Sequence, residues 1–155
     1  MQKNTSLIIT VLCGLLFSIS AYSQVEIKSF TNDLSPTLNG QEVIFSCPLV
    51  VTKTYYTAPS GDITLSPERL YNPTEVVSPG TEANNLAATY AQLTLTLKSS
   101  SYTYTDDNHT LRTGSVVNGL RGTLSYSNSK YSLVPTVRPV FAGNERTTAP
   151  GNVGT

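Results

Sequence analysis

Apolar and polar residues alternate with a period of two along several short stretches of this chain. Leu93, Leu95 and Leu97 alternate with Thr94, Thr96 and Lys98, which predicts a half-buried strand. The longest such stretch is residues 116–126. Val116, Leu120, Gly122, Leu124 and Tyr126 fall on one face, and Val117, Gly119, Arg121, Thr123 and Ser125 on the other. Residues 42–54 form a third strand region, which Pro48 interrupts as a bulge, an edge position or a break into two strands. Shorter strands are predicted at 24–30, at Ile63-Thr64-Leu65 and at Tyr131 to Pro135, the last after the turn Ser127-Asn128-Ser129-Lys130.

Proline, glycine and asparagine mark the breaks. Residues 31–40 and 57–62 read as loop and turn. Residues 66–80 contain Pro67, Pro73 and Pro79 and exclude a regular strand or a long helix. One or two helical turns follow in 81–90, and residues 99–108 read as a hairpin with Tyr102 and Tyr104 on one face. Gly119 and Gly122 inside a strand predict a sharp bend or a close backbone approach, as a small barrel needs in order to close. The pattern predicts an all-β module.

The ends divide the chain further. Lys3, the apolar run 7–17 and Ala21-Tyr22-Ser23 read as a secretion signal, residues 1–23. The apolar run is too short to span a membrane, so no transmembrane association is expected. The expected location is secreted, cell-surface or periplasmic. A leading strand and loop occupy 24–39, the β domain 40–141, and a linker or truncated end 142–155. Twenty-two Thr, nine Tyr and no Trp suit strands. After removal of the signal, nine Lys plus Arg face ten Asp plus Glu. That balance excludes a strongly basic nucleic-acid binder and an acidic solvating chain.

Few residues suggest chemistry. Of two cysteines, Cys13 lies in the signal, so Cys47 has no intrachain partner and reads as a buried small hydrophobe. Metal-dependent phosphodiester cleavage requires several carboxylates around divalent ions, commonly with a histidine base. This chain has one histidine, His109, and four aspartates. Asp106-Asp107-Asn108-His109 reads as a solvated hairpin turn, or as weak calcium ligands. No phosphate loop, zinc-protease helix or paired-cysteine knuckle occurs. Ser66 and Ser115 lack a credible histidine partner. No cofactor and no catalytic residue is expected.

Three segments together resemble a known family. The first is Pro48-Leu49-Val50-Val51-Thr52 with Tyr55-Tyr56. The second is Gly61-Asp62-Ile63-Thr64-Leu65-Ser66-Pro67-Glu68-Arg69-Leu70-Tyr71-Asn72-Pro73-Thr74-Glu75-Val76. The third is Leu111-Arg112-Thr113-Gly114-Ser115-Val116-Val117-Asn118-Gly119-Leu120-Arg121-Gly122-Thr123-Leu124. They resemble the region ahead of the catalytic domain in large secreted bacterial nucleases of the endonuclease/exonuclease/phosphatase type. The resemblance covers roughly residues 40–136 and implies a small OB-like barrel, partly or fully closed, with a long proline-rich loop. The Val-Gly-x-Leu-x-Val-Ala-x-Phe-Asn lead-in to that family's catalytic domain does not occur here.

The function expected is therefore that of a noncatalytic exported accessory module. It would position nucleic-acid substrate or dock to a nuclease catalytic domain, linked or separate. The alternative is a cell-surface binding or adhesion module unrelated to nucleases. OB-type surfaces hold strands through stacking aromatics and phosphate-neutralising cations. The candidates for weak DNA or RNA contact are Tyr55, Tyr56, Tyr102, Tyr104, Lys98, Arg112, Arg121 and Lys130. Glu68, Arg69, Tyr71 and Asn72 form a candidate docking loop, with Glu68 and Arg69 suited to an ion pair.

Overall fold

A computed structural model describes residues 24–55, 57, 60–99, 102–104 and 111–143. The signal expected at 1–23, Tyr56, the turn expected at 106–109 and residues 144–155 of the expected linker or truncated end lie outside the described residues. Nine strands form one sheet: β1 (Val25–Ile27), β2 (Glu42–Phe45), β3 (Leu49–Lys53), β4 (Ile63–Ser66), β5 (Leu95–Leu97), β6 (Val116–Val117), β7 (Leu120–Ser127), β8 (Lys130–Pro135) and β9 (Phe141–Ala142). The helices are α1 (Phe30–Asp33), α2 (Pro73–Val76) and α3 (Thr81–Gln92), with a 3-10 turn at Pro36–Leu38. The fold is all-β and barrel-like.

Pro48 does break the strand region 42–54 into two, β2 and β3, but both halves stay in one path. β2 pairs antiparallel with β7, placing Phe45 opposite Leu120, and β3 pairs antiparallel with β6, placing Leu49 opposite Val117. The other edge of β3 pairs with β4. From β4 the ladder continues through β5 and the parallel partner β8 back to β7. Taking β2 with β3 and β6 with β7 as bent strands, five strands follow one another in the order 1-2-3-5-4-1. This is the Greek-key connectivity of OB-type barrels. β1 adds to the edge of β2 in parallel, and β9 to that of β6.

The alternating apolar residues point into this barrel. Val43, Phe45, Leu49, Val51, Ile63, Leu65, Leu95, Leu97, Leu124 and Leu133 are fully buried or nearly so. Ile27 and Phe30 join the same core from β1 and α1, so residues ahead of position 40 pack with the barrel. The Phe30 and Phe45 rings lie 6.2 Å apart. Cys47 is half-buried against this core, and burial pushes its thiol pKa up.

Two local expectations change in detail. Val117, assigned by alternation to the outer face, is buried, whereas Val116 is half-buried. Asn118 and Gly119 interrupt the strand there, and Gly119 has φ +63°, so the alternation restarts at Leu120. The helical segment runs to Gln92, making α3 twelve residues long. The turn expected at Ser127-Asn128-Ser129-Lys130 is present: Asn128 and Ser129, at φ 51° and 58°, form a two-residue hairpin turn whose twist matches the strands it joins.

Gly122 is a close-approach position. A Cβ there would collide with the Val134 carbonyl oxygen and stand 2.9 Å from the Pro135 Cα. Backbone cannot yield as a flexible side chain would. Gly122→Val is therefore expected to destabilise by about 1–3 kcal/mol or more through overpacking. Thr123→Val, on the half-exposed outer face, should cost little, since valine favours strands. Denaturant melts of both variants check this. Equal tolerance at the two sites would refute close approach between β7 and β8.

Candidate ligand groove

The proline-rich loop does not lie flat on the barrel. With α2 and α3 it stands beside the outer face of β3, β4 and β5, leaving an open groove of about 780 Å³. Its floor is polar for a simple reason. Inward positions on these strands carry Val51, Ile63, Leu65, Leu95 and Leu97, so the outward ones are Thr52, Thr64 and Thr96. Thr64 lies opposite Thr96, and Thr96 opposite Ser132, giving a row of hydroxyls across the sheet. Tyr71, Asn72 and Pro73 form one wall, and Ala87, Tyr90 and Ala91 of α3 another.

Three lysines line this groove, Lys53, Lys98 and Lys130, against one aspartate, Asp62. Lys98 is held in place. Its ammonium lies 2.8 Å from Asp62 Oδ2, and its carbonyl accepts the Tyr104 hydroxyl. Asp62 also accepts the Ser99 N–H at 3.1 Å, and the Ser99 hydroxyl donates to the Ser60 carbonyl at 2.6 Å. These bonds tie the loop between β3 and β4 to the end of β5. Gly61, at φ +75°, allows the approach, because a Cβ there would collide with the Ser99 side chain. On the far wall, Asn72 precedes the short helix α2. Its N–H donates to Glu75 Oε2 at 3.3 Å, and Pro73 occupies the first helical turn.

The candidates from sequence divide accordingly. Lys98, Lys130, Tyr71 and Asn72 come together in the groove. Arg69 lies over the Tyr71 ring, 5.2 Å from its centroid, rather than pairing with Glu68. Such a stack orients the ring that faces the groove. The Glu68 carbonyl accepts the buried Ser66 hydroxyl. Tyr55 is 80% exposed and does not line the groove, and Tyr56 lies outside the described residues. Tyr102 donates to the Thr136 carbonyl at 3.3 Å. Tyr104 packs against the core, edge-on to Phe141 with centroids 6.1 Å apart. Arg112 and Arg121 are exposed but are not groove residues. Arg121 sits opposite Ile44, where β2 meets β7.

Lys53, Asp62 and Tyr90 are groove residues that sequence reasoning did not single out. Lys53 ends β3, but its place beside Lys98 depends on the register of strands 45 residues apart in the chain. The threonines carried a signal, since their period-2 spacing already placed them on an outer face. Ser115 is buried and accepts the Arg112 N–H at 3.4 Å. Among the described residues, no three His, Cys, Asp or Glu side chains gather to hold a metal, and no helix is long and apolar enough to cross a membrane.

No protein-family model, curated protein or solved structure matches the chain.

Two outcomes test this geometry. Asp62→Ala should loosen the β3–β4 loop and cost about 1–2 kcal/mol, the worth of a charged acceptor that also anchors a backbone N–H. A urea melt reads the cost directly. Burial chiefly raises the pKa of the Tyr104 phenol, with the Asp62 charge adding to it. A raised pKa means that the folded state holds the proton more tightly than the unfolded one. Its stabilising share is intact below the ordinary phenol pKa of about 10 and is lost as pH climbs above that value. Urea melts on both sides of that pH should show wild-type stability falling on the alkaline side. Tyr104→Phe should show a flatter profile.

Proposed function

We propose that this chain is a noncatalytic exported binding module. It holds a short stretch of single-stranded nucleic acid in the groove and positions that strand for an extracellular nuclease domain, linked or separate. The observation that carries the reading is the gathering of Lys53, Lys98 and Lys130 with Tyr71 and Tyr90 on one threonine-lined surface. The chain as a whole has no net charge, yet this surface has two lysines in excess of its one aspartate. Phosphates would lie along the lysines, and bases would stack on the tyrosine rings. The groove also lies on the second and third strands of the ring, between the loop of residues 54–62 and the turn at 128–129. OB-type barrels use this face for oligonucleotides and oligosaccharides. The sequence resemblance to nuclease accessory regions agrees with the same reading.

Binding is expected to be weak and salt-dependent, because few cations take part. Fluorescence anisotropy with a labelled single-stranded oligonucleotide at low salt is the measurement. The double variant Lys53→Ala/Lys130→Ala should lower affinity by about tenfold and reduce the salt slope by about 1.4, roughly 0.7 for each single-strand phosphate no longer neutralised. Unchanged binding in that variant would remove the groove from the account. Binding to glycans but not to oligonucleotides would favour the adhesion alternative. The purified chain should not cleave DNA or RNA with magnesium, manganese or calcium, since its one histidine and four aspartates form no convincing cluster along the sequence and no three His, Cys, Asp or Glu side chains gather among the described residues. Turnover abolished by mutating Asp106, Asp107 or His109 would overturn that expectation.

A further inference from the structure

The described residues contain two Asn-Gly pairs, Asn39-Gly40 and Asn118-Gly119, and the fold treats them differently. In such a pair the glycine amide nitrogen can reach the carboxamide carbon of the preceding asparagine, because glycine has no side chain to obstruct the approach. At the first pair both reacting groups are engaged. Asn39 Oδ1 accepts the Tyr126 N–H at 2.8 Å, and the Gly40 N–H donates to the Leu124 carbonyl at 2.8 Å. At the second pair neither is. Asn118 and Gly119 are exposed in the gap between β6 and β7, and neither the Asn118 carboxamide nor the Gly119 N–H makes a hydrogen bond among the described residues. Gly119 has φ +63°, and open space surrounds the position where a Cβ would stand.

We propose that Asn118 is a site of spontaneous deamidation in the folded protein, and that the fold protects Asn39 from the same reaction. The Gly119 nitrogen loses its proton to solvent and bonds to the Asn118 Cγ. The Cγ–Nδ2 bond breaks, and the nitrogen leaves as ammonia after taking up a proton. The resulting succinimide adds water at either carbonyl and opens to an aspartyl or an isoaspartyl residue. One carboxamide and one water thus become one carboxylic acid and one ammonia, with no oxidant or reductant. The product adds a negative charge. In the isoaspartyl form it also adds one carbon to the main chain, between the pairs Val117–Leu49 and Leu120–Phe45. That is the joint through which the barrel closes, so the modification would mark the age of each molecule at a structural point.

The test holds the purified full chain in warm, mildly alkaline buffer and follows peptides by mass spectrometry. The peptide with residue 118 should gain one mass unit and split chromatographically into aspartyl and isoaspartyl forms. It should do so at least about tenfold faster than the peptide with residue 39, where two hydrogen bonds must first be given up. In urea the two rates should converge. Asn118→Gln should remove the gain from its peptide and leave Asn39 as slow as before. Equal rates at the two sites in the folded protein would overturn the proposal. So would an Asn118 that stays intact when folded but converts in urea.

Discussion

The barrel depends on residues 42–53 being hydrogen-bonded along both edges. A sheet this small leaves two exposed edges unless one path serves as both first and last strand. The break at Ser46-Cys47-Pro48 makes that dual role feasible. It turns the chain between β2 and β3, so that β7 takes up the first half and β4 the second. Asn118 and Gly119 provide the matching interruption on the neighbouring strand. Both irregularities sit at the same level of the sheet, and the buried Phe45, Leu49, Val117 and Leu120 surround them.

Closure also decides where polar chemistry is displayed. Once the alternate leucines and valines fill the interior, the intervening threonines and lysines have to face outward. On most of the barrel this produces an ordinary wetted surface. Beside β3, β4 and β5 the proline-rich loop and α3 stand over that surface and turn it into a groove. Prolines suit such a wall, because they resist collapse into regular structure against the sheet. Helix α3 buries only Ala83 among its residues, consistent with a wall rather than a core element.

Electrostatics in the groove is a matter of placement rather than quantity. Asp62 serves the fold, since it anchors Ser99 and Lys98 and so fixes the β3–β4 loop. In doing so it offsets one of three lysines. Groove charge and loop stability are therefore linked through one carboxylate, and a more basic groove would come with a looser loop. The same region carries Tyr104, whose hydroxyl secures the Lys98 carbonyl from the core side. Residues that looked alike in sequence, tyrosines in a polar stretch, thus divide into groove walls and packing struts.

Much of the barrel was legible in the residues alone. Period-2 alternation located β5, β7 and β8, because burial on one face of a strand leaves its trace in every second residue. Pro48 marked the division between β2 and β3, and Gly122 marked a close approach, because each imposes a steric condition that other residues do not. Alternation failed at Val117, where a two-residue interruption shifted the phase that counting assumes to be constant. The candidate site was legible in part. Lys98, Lys130, Tyr71 and Asn72 were named from residue type and resemblance, but so were Arg112 and Arg121, which lie elsewhere. Residue type reports what a side chain can do. Register across β3, β4, β5 and β8, and the height at which α3 stands, determine which side chains meet. Those depend on contacts between residues far apart in the chain, so only the tertiary structure brought Lys53, Asp62 and Tyr90 into one groove.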